Sequence, residues 1–148
     1  MASGIGVADE VTTTFEELKI KHAFSYMVAK IDAAKGEIVL EATGPVGNKD
    51  DSTADWNAFT KAHLPEREGR YAVFDFHYQL KDGGSREKLV FIVWAPDSAP
   101  IKEKMLYASS KDALKKKIPG FHAEIQGTDD DEVEFDTVYD KLSAGGTK

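Results

Sequence analysis

One stretch restricts the fold more than any other. Lys88–Ala95 (KLVFIVWA) is nearly continuously apolar, Pro96 and Pro100 bracket a turn, a helical pattern follows, and Pro119-Gly120 stops it. A strand this apolar reads as a central one, covered on both faces. Pro100 suits the first turn of a helix, where its missing N–H costs nothing. Ser98 or Asp97 can cap that turn. Pro119 cannot continue a helix, and Gly120 readily takes the left-handed stop. His122–Gln126 (HAEIQ) then reads as a short strand. Strand, helix and strand in succession imply a right-handed crossover and a parallel pair.

The helix has two unlike sides. At ~100° per residue, Leu106, Tyr107, Ser110, Ala113, Leu114 and Ile118 gather on one of them, a core-facing stripe. Lys102, Lys104, Lys111, Lys115 and Lys116 occupy the other, with Ile101, Met105 and Ala108 among them. Solubility alone would not put apolar residues there. A polarisable Met on a basic outer face suits a protein-binding surface. The alternative is a solvated face with stray apolar residues, which are common.

The rest of the chain supplies five further elements before the crossover. Val11, Phe15 and Leu18 recur at helical spacing between Asp9 and Lys21. Residues 23–31 alternate as a strand, 33–36 form a turn, and Glu37–Ala42 makes the second arm of a hairpin. Ser52 or Thr53 opens a short helix that Pro65 ends, burying Trp56 and Phe59 or Leu64. Arg70–Leu80 is a long strand with Ala72, Phe74, Phe76 and Tyr78 on one face, joined to Lys88–Ala95 by the turn at 82–85. Asp129–Asp131 reads as the acidic start of a last helix, docked by Val133, Val138, Tyr139 and Leu142. The expected fold is α/β (of the α+β kind), with a five-stranded mixed sheet: a four-stranded meander plus one parallel strand. Residues 1–8 read as a flexible arm, 9–142 as one domain and 143–148 as a frayed tail.

Charge narrows the partners. The 148-residue chain carries a net −7, yet residues 101–117 hold six lysines against Glu103 and Asp112, and residues 129–140 hold seven acids and no base. An acidic protein is a poor general nucleic-acid binder. A local basic strip on it suits an acidic protein surface or an anionic lipid. There is no cysteine, which removes disulfides, thiolate metal sites and a Cys nucleophile, and fits the cytosol. No run approaches the ~20 apolar residues of a membrane span. The first ten residues show no basic stretch followed by an apolar one, so no secretory signal is expected.

Bond-making chemistry finds no support. His22, His63, His77 and His122 show no metal-ligand spacing, and neither a nucleophile elbow nor a phosphate-binding loop occurs, so no catalytic, metal or cofactor residue is expected. Asp75, inside an aromatic strand, is the odd acid, and Arg70 or a backbone amide is its expected partner.

Trp94-Ala95-Pro96-Asp97-Ser98-Ala99-Pro100, then Ile101 to Met105, then Tyr107-Ala108-Ser109-Ser110-Lys111-Asp112, together resemble the actin-depolymerising factor/cofilin family. Leu64-Pro65-Glu66 leading into Arg70–Phe76, and Ser3-Gly4 ahead of Val7 and Asp9-Glu10, agree with it along nearly the whole chain. The resemblance implies the actin-depolymerising-factor homology fold, a mixed sheet sandwiched by about four helices. It implies a monomeric, non-enzymatic, cytoplasmic and cytoskeletal protein that binds actin monomers and filaments, prefers the ADP form, severs filaments and speeds subunit loss.

By that resemblance the surface shared by monomer and filament binding comprises Ser3, Gly4, Ile5, Gly6, Val7, Ile101, Lys102, Lys104, Met105, Lys111, Asp112, Lys115 and Lys116. A filament-only surface comprises Arg86, Lys88, Asp140 and Lys141, and Ala144 stands where some members carry a base. The resemblance also implies phosphorylation of Ser3 by a Ser kinase, and inhibition by phosphoinositides. A filament binder that does not sever, like coactosin, and a phosphoinositide-binding module are the alternatives.

Overall fold

The computed structural model describes residues 4–48 and 51–146. The elements are β1 (Gly6–Val7), α1 (Asp9–Glu16) running into a π-turn (Glu17–Lys21), β2 (Tyr26–Asp32), β3 (Glu37–Gly44) and α2 (Thr53–His63). Then come β4 (Arg70–Gln79), β5 (Ser85–Trp94), α3 (Ile101–Lys117), β6 (Ala123–Gly127), a 3-10 turn (Asp130–Val133) and α4 (Phe135–Gly146).

The sheet runs β1-β3-β2-β4-β5-β6. It is mixed, as expected, but has six strands rather than five. The additional one is β1, where Gly6 and Val7 lie parallel to Glu37 and Ile38. Two residues leave no periodicity to read, and the pairing rests on long-range bonds: Gly6 N–H to Gly36 O (3.0 Å) and Ala8 N–H to Ile38 O (2.9 Å). β5 and β6 are parallel through α3, as the strand–helix–strand order implied.

Period-2 alternation along β4 and β5 feeds two cores. Val28, Ala72, Phe74, Phe76, Val90, Ile92 and Trp94 meet Trp56, Phe59, Val138 and Leu142 under α2 and α4. Met27, Ala29, Tyr71, Val73, Leu89, Phe91 and Val93 meet Val11, Phe15, Leu18, Tyr107 and Leu114 under α1 and α3. β4 is therefore buried on both faces through Phe76, not on one. Each tryptophan N–H is satisfied, Trp56 by Val133 O and Trp94 by Pro65 O, both at 2.7 Å.

Three local expectations change. Neither Ser98 nor Asp97 caps α3. Pro100 is its N-cap residue, with no side-chain cap, and its carbonyl takes the Lys104 N–H at 3.1 Å. The Asp129–Asp131 run does not begin the last helix. Asp129 caps the 3-10 turn by accepting from Glu132 N (3.0 Å), and α4 starts at Phe135. The short turn uses the acids locally, since Asp side chains compete for nearby amides. Finally, Asp75 is not paired with Arg70, whose guanidinium goes to Glu41 (2.7 Å) and Glu68 (3.0 Å).

Candidate functional site

α3 owes its position to a few contacts. Tyr107, Ser110 and Leu114 are its buried residues. The Tyr107 hydroxyl accepts from Ile31 N–H (2.9 Å), and the Tyr71 hydroxyl donates to the Tyr107 carbonyl. Burial pushes the Tyr71 phenol well above its ordinary value, so it stays a donor at physiological pH. At the helix start, Glu103 accepts from Gly69 N–H at 2.8 Å. A Cβ on Gly69 would lie 2.5 Å from the Tyr107 ring, so only glycine permits this approach.

The outer face is thereby presented to solvent. Ile101 and Met105, one turn apart, are 69% and 66% exposed. Lys102, Asp112 and Lys116 are exposed; Lys104, Lys111 and Lys115 are half-buried. The lysines are not equivalent. Lys115 and Lys111 both reach Glu124 on β6, at 2.8 and 3.3 Å. Burial alone would raise the Glu124 carboxyl, but Lys115, Gln126 and Lys111 together hold it below its ordinary range. The Glu124 hydrogen bond and charge in turn raise Lys115. Lys104 reaches Asp97 O at 3.4 Å. Lys102 and Lys116 form no ion pair among the described residues, so their charge is available to a partner.

The N-terminal segment joins this face. Gly4–Val7 and α3 residues Ser109, Asp112, Ala113 and Lys115–Lys117 line one hollow of about 760 Å³. Gly4 and Gly6 are exposed, whereas Ile5 and Val7 turn half into the core beneath α3. Ser3 lies outside the described residues.

The second predicted group sits on the other side of the sheet. Arg86 and Lys88 share a β5 face with Val90 and Ile92, and their β4 partners are Tyr78 and Phe76. Lys88 donates to Leu142 O in α4 at 3.2 Å, which brings it beside exposed Asp140 and Lys141. Arg86 is exposed and donates to Ser85 O at 2.9 Å. The structure thus gathers these four into one region, separated from the α3 face by the sheet.

Sequence spacing missed one constellation. Asp75 is buried beside His22 Nδ1 (2.9 Å) and His77 Nε2 (3.3 Å), with Glu87 Oε1 3.8 Å from His22 Nδ1. Only the i, i+2 relation of Asp75 and His77 on one strand face was open to reading. His22 and Glu87 arrive from other elements.

A helix-sandwiched mixed sheet with a basic, Met-bearing helix beside the N-terminal segment defines a class of small proteins in which one helix keeps an exposed apolar and basic face. Residues 4–143 match the family described as cofilin/tropomyosin-type actin-binding protein, and the chain belongs to that family. It is 45% identical to actophorin of Acanthamoeba castellanii over 139 residues, covering 94% of this chain and 95% of that protein. The crystal structure of Streptomyces griseoflavus cofilin superposes with a TM-score of 0.82 at 38% identity, over 95% of this chain and 98% of that one. That of Plasmodium berghei actin depolymerization factor 2 does so with a TM-score of 0.86 at 29% identity, over 97% and 99%.

Proposed function

We propose that the chain binds actin monomers and filaments through the outer face of α3 together with residues 3–7, and that it severs filaments and promotes their depolymerisation. The carrying observation is the pair of exposed apolar side chains, Ile101 and Met105, set among lysines on a helix whose other face is locked into the core. Covering such a side chain is worth about 1.5–3 kcal/mol before the costs of association. Lys102 and Lys116 add charge complementarity to an acidic surface. Arg86, Lys88, Asp140 and Lys141 form a second contact used only on filaments. The ADP form of actin is preferred, the protein acts as a monomer in the cytoplasm and on the cytoskeleton, and no bond is made or broken.

Two modulators follow from the same charges. A phosphate on Ser3 would add about −1.5 to −2 charge next in sequence to Gly4, which shares a hollow with Lys115–Lys117, and would compete with the actin surface. Phosphoinositide head groups would be attracted to Lys102 and Lys116 and would compete likewise.

The test is binding to monomeric actin and cosedimentation with filaments. Lys102→Ala with Lys104→Ala lowers monomer affinity at least about tenfold, or ~1.4 kcal/mol, while circular dichroism stays native. Unchanged affinity overturns the assignment of this face. Arg86→Ala with Lys88→Ala spares monomer binding and weakens filament cosedimentation. Equal loss of both means that no separate filament contact exists. Filament microscopy distinguishes severing from binding alone.

A further inference from the structure

We propose that His22, Asp75 and Glu87 bind one divalent transition-metal ion of the zinc class. The site lies where the π-turn after α1 meets the β4–β5 hairpin, on the α1/α3 side of the sheet.

The ligand atoms of the three residues all lie within 4.8 Å of one another. Ligands at about 2.0–2.1 Å from a tetrahedral ion stand about 3.3 Å apart. The His22 Nδ1–Asp75 Oδ2 and His22 Nδ1–Glu87 Oε1 separations, 2.9 and 3.8 Å, bracket that value. One imidazole nitrogen and two carboxylates are a borderline donor set that favours zinc, cobalt or nickel over calcium or magnesium. Two carboxylates and one divalent ion are neutral together, which removes the like-charge repulsion between Asp75 and Glu87.

Two further features prepare the site. His77 Nε2 lies 3.3 Å from the same Asp75 oxygen, so it orients the carboxylate as an outer partner does in metal centres. His22 itself sits in the left-handed region, at φ 50°, where the π-turn ends. Its N–H reaches Leu18 O (3.1 Å), and the Ala23 N–H reaches Glu17 O (3.4 Å). Glycine or asparagine is the usual residue at such a stop. A histidine held there is strained, and the result is an imidazole aimed at Asp75.

The surroundings leave room for a fourth ligand. A hollow of about 290 Å³ opens beside the three residues, large enough for water. Lys19, Lys88 and His122 also line it, although the Lys88 side chain turns to the α4 side of the sheet. Both ammonium groups are engaged elsewhere, Lys19 with Pro119 O (3.3 Å) and Lys88 with Leu142 O (3.2 Å). His122 Nδ1 accepts from Leu89 N–H at 2.9 Å. Without metal, a proton on His22 Nδ1 bridges to Asp75. The ion takes that proton's place, so metal binding releases it.

The test is titration of chelator-treated full-length protein with Co²⁺, read by visible absorption, and with Zn²⁺, read by calorimetry, with Mg²⁺ as the control. One ion per chain is expected, with d–d bands of a four-coordinate site and no saturable Mg²⁺ binding. His22→Asn, which keeps a residue suited to the left-handed turn, and Glu87→Gln each weaken binding at least about tenfold. His77→Asn weakens it ~10–100-fold, as loss of an outer-shell partner does. Circular dichroism and thermal unfolding without metal establish that each variant is folded. Absence of saturable Co²⁺ and Zn²⁺ binding overturns the proposal. So does binding that His22→Asn or Glu87→Gln leaves unchanged, because the ion is then held elsewhere.

Discussion

Among the described residues, Asp75 is the one Asp, Glu, Lys, Arg or His whose position is buried, and everything near it follows from that. Burial alone would raise its carboxyl. The hydrogen bonds and charges of His77 and His22 outweigh burial and hold it below the ordinary carboxylate range. A folded value below the unfolded one means that the stabilisation is present above about pH 4 and is lost as pH falls through the folded value. Asp75→Asn is therefore expected to cost about 1.5–3 kcal/mol near neutral pH. The difference from wild type should shrink steadily below pH ~4. Urea titrations across pH 2.5–7 measure it, and a pH-independent difference would show that the charge has no part. This residue also marks where sequence reading stopped. An acid in an aromatic strand announces a partner, but Arg70, the cation on the same strand, was already taken by Glu41 and Glu68.

At the scale of elements, α3 is set by its two ends and by one glycine. Pro100 and Pro119-Gly120 bounded it in the sequence, and the observed helix, Ile101–Lys117, lies between them. What those signals lacked was its seat. Glu103 binds the Gly69 amide, and the Tyr107 ring occupies the space that a Gly69 side chain would need. Gly69→Ala should cost about 1–3 kcal/mol through overpacking, read as a lower urea midpoint with unchanged slope. If α3 yields without strain, the midpoint will not move. The lysine face was legible as a face, but its internal division was not. Glu124 on β6 ties Lys111 and Lys115, and nothing local in 101–117 indicates that an acid thirteen residues beyond Lys111 lies beneath them.

For the whole molecule, the central position of β4 and β5 is the organising fact. They pair over ten residues, from Arg70 with Trp94 to Gln79 with Ser85, and both cores rest on them. β1 pairs through two residues on one side only. Native-state hydrogen exchange should therefore find the slowest amides in β4 and β5, at the rate of global unfolding. Gly6 and Ala8, on the short edge, should exchange orders of magnitude faster. Comparable protection at both places would mean that the edge strand opens only with the core. The arrangement also explains why two groups of basic residues are kept apart. A sheet with helices on both faces has two outer surfaces, and the lysines of α3 and the Arg86–Lys88 pair fall on opposite ones.

The sequence by itself determined what depends on neighbours along the chain. It specified the α3 limits, the apolar two-faced β5, the hairpins, the parallel β5–β6 pair and the basic outer stripe, and its motifs pointed to the family. Periodicity, proline and glycine act within a few residues, so these are readable from local order. The tertiary structure alone decided what depends on closure across the chain. Gly6–Val7 became a strand only because Glu37–Ile38 lay open beside it. His22, Asp75 and Glu87 met only because the end of α1 packs over the β4–β5 hairpin. Contacts between residues distant along the chain are set by which faces bury together, and no local pattern records that.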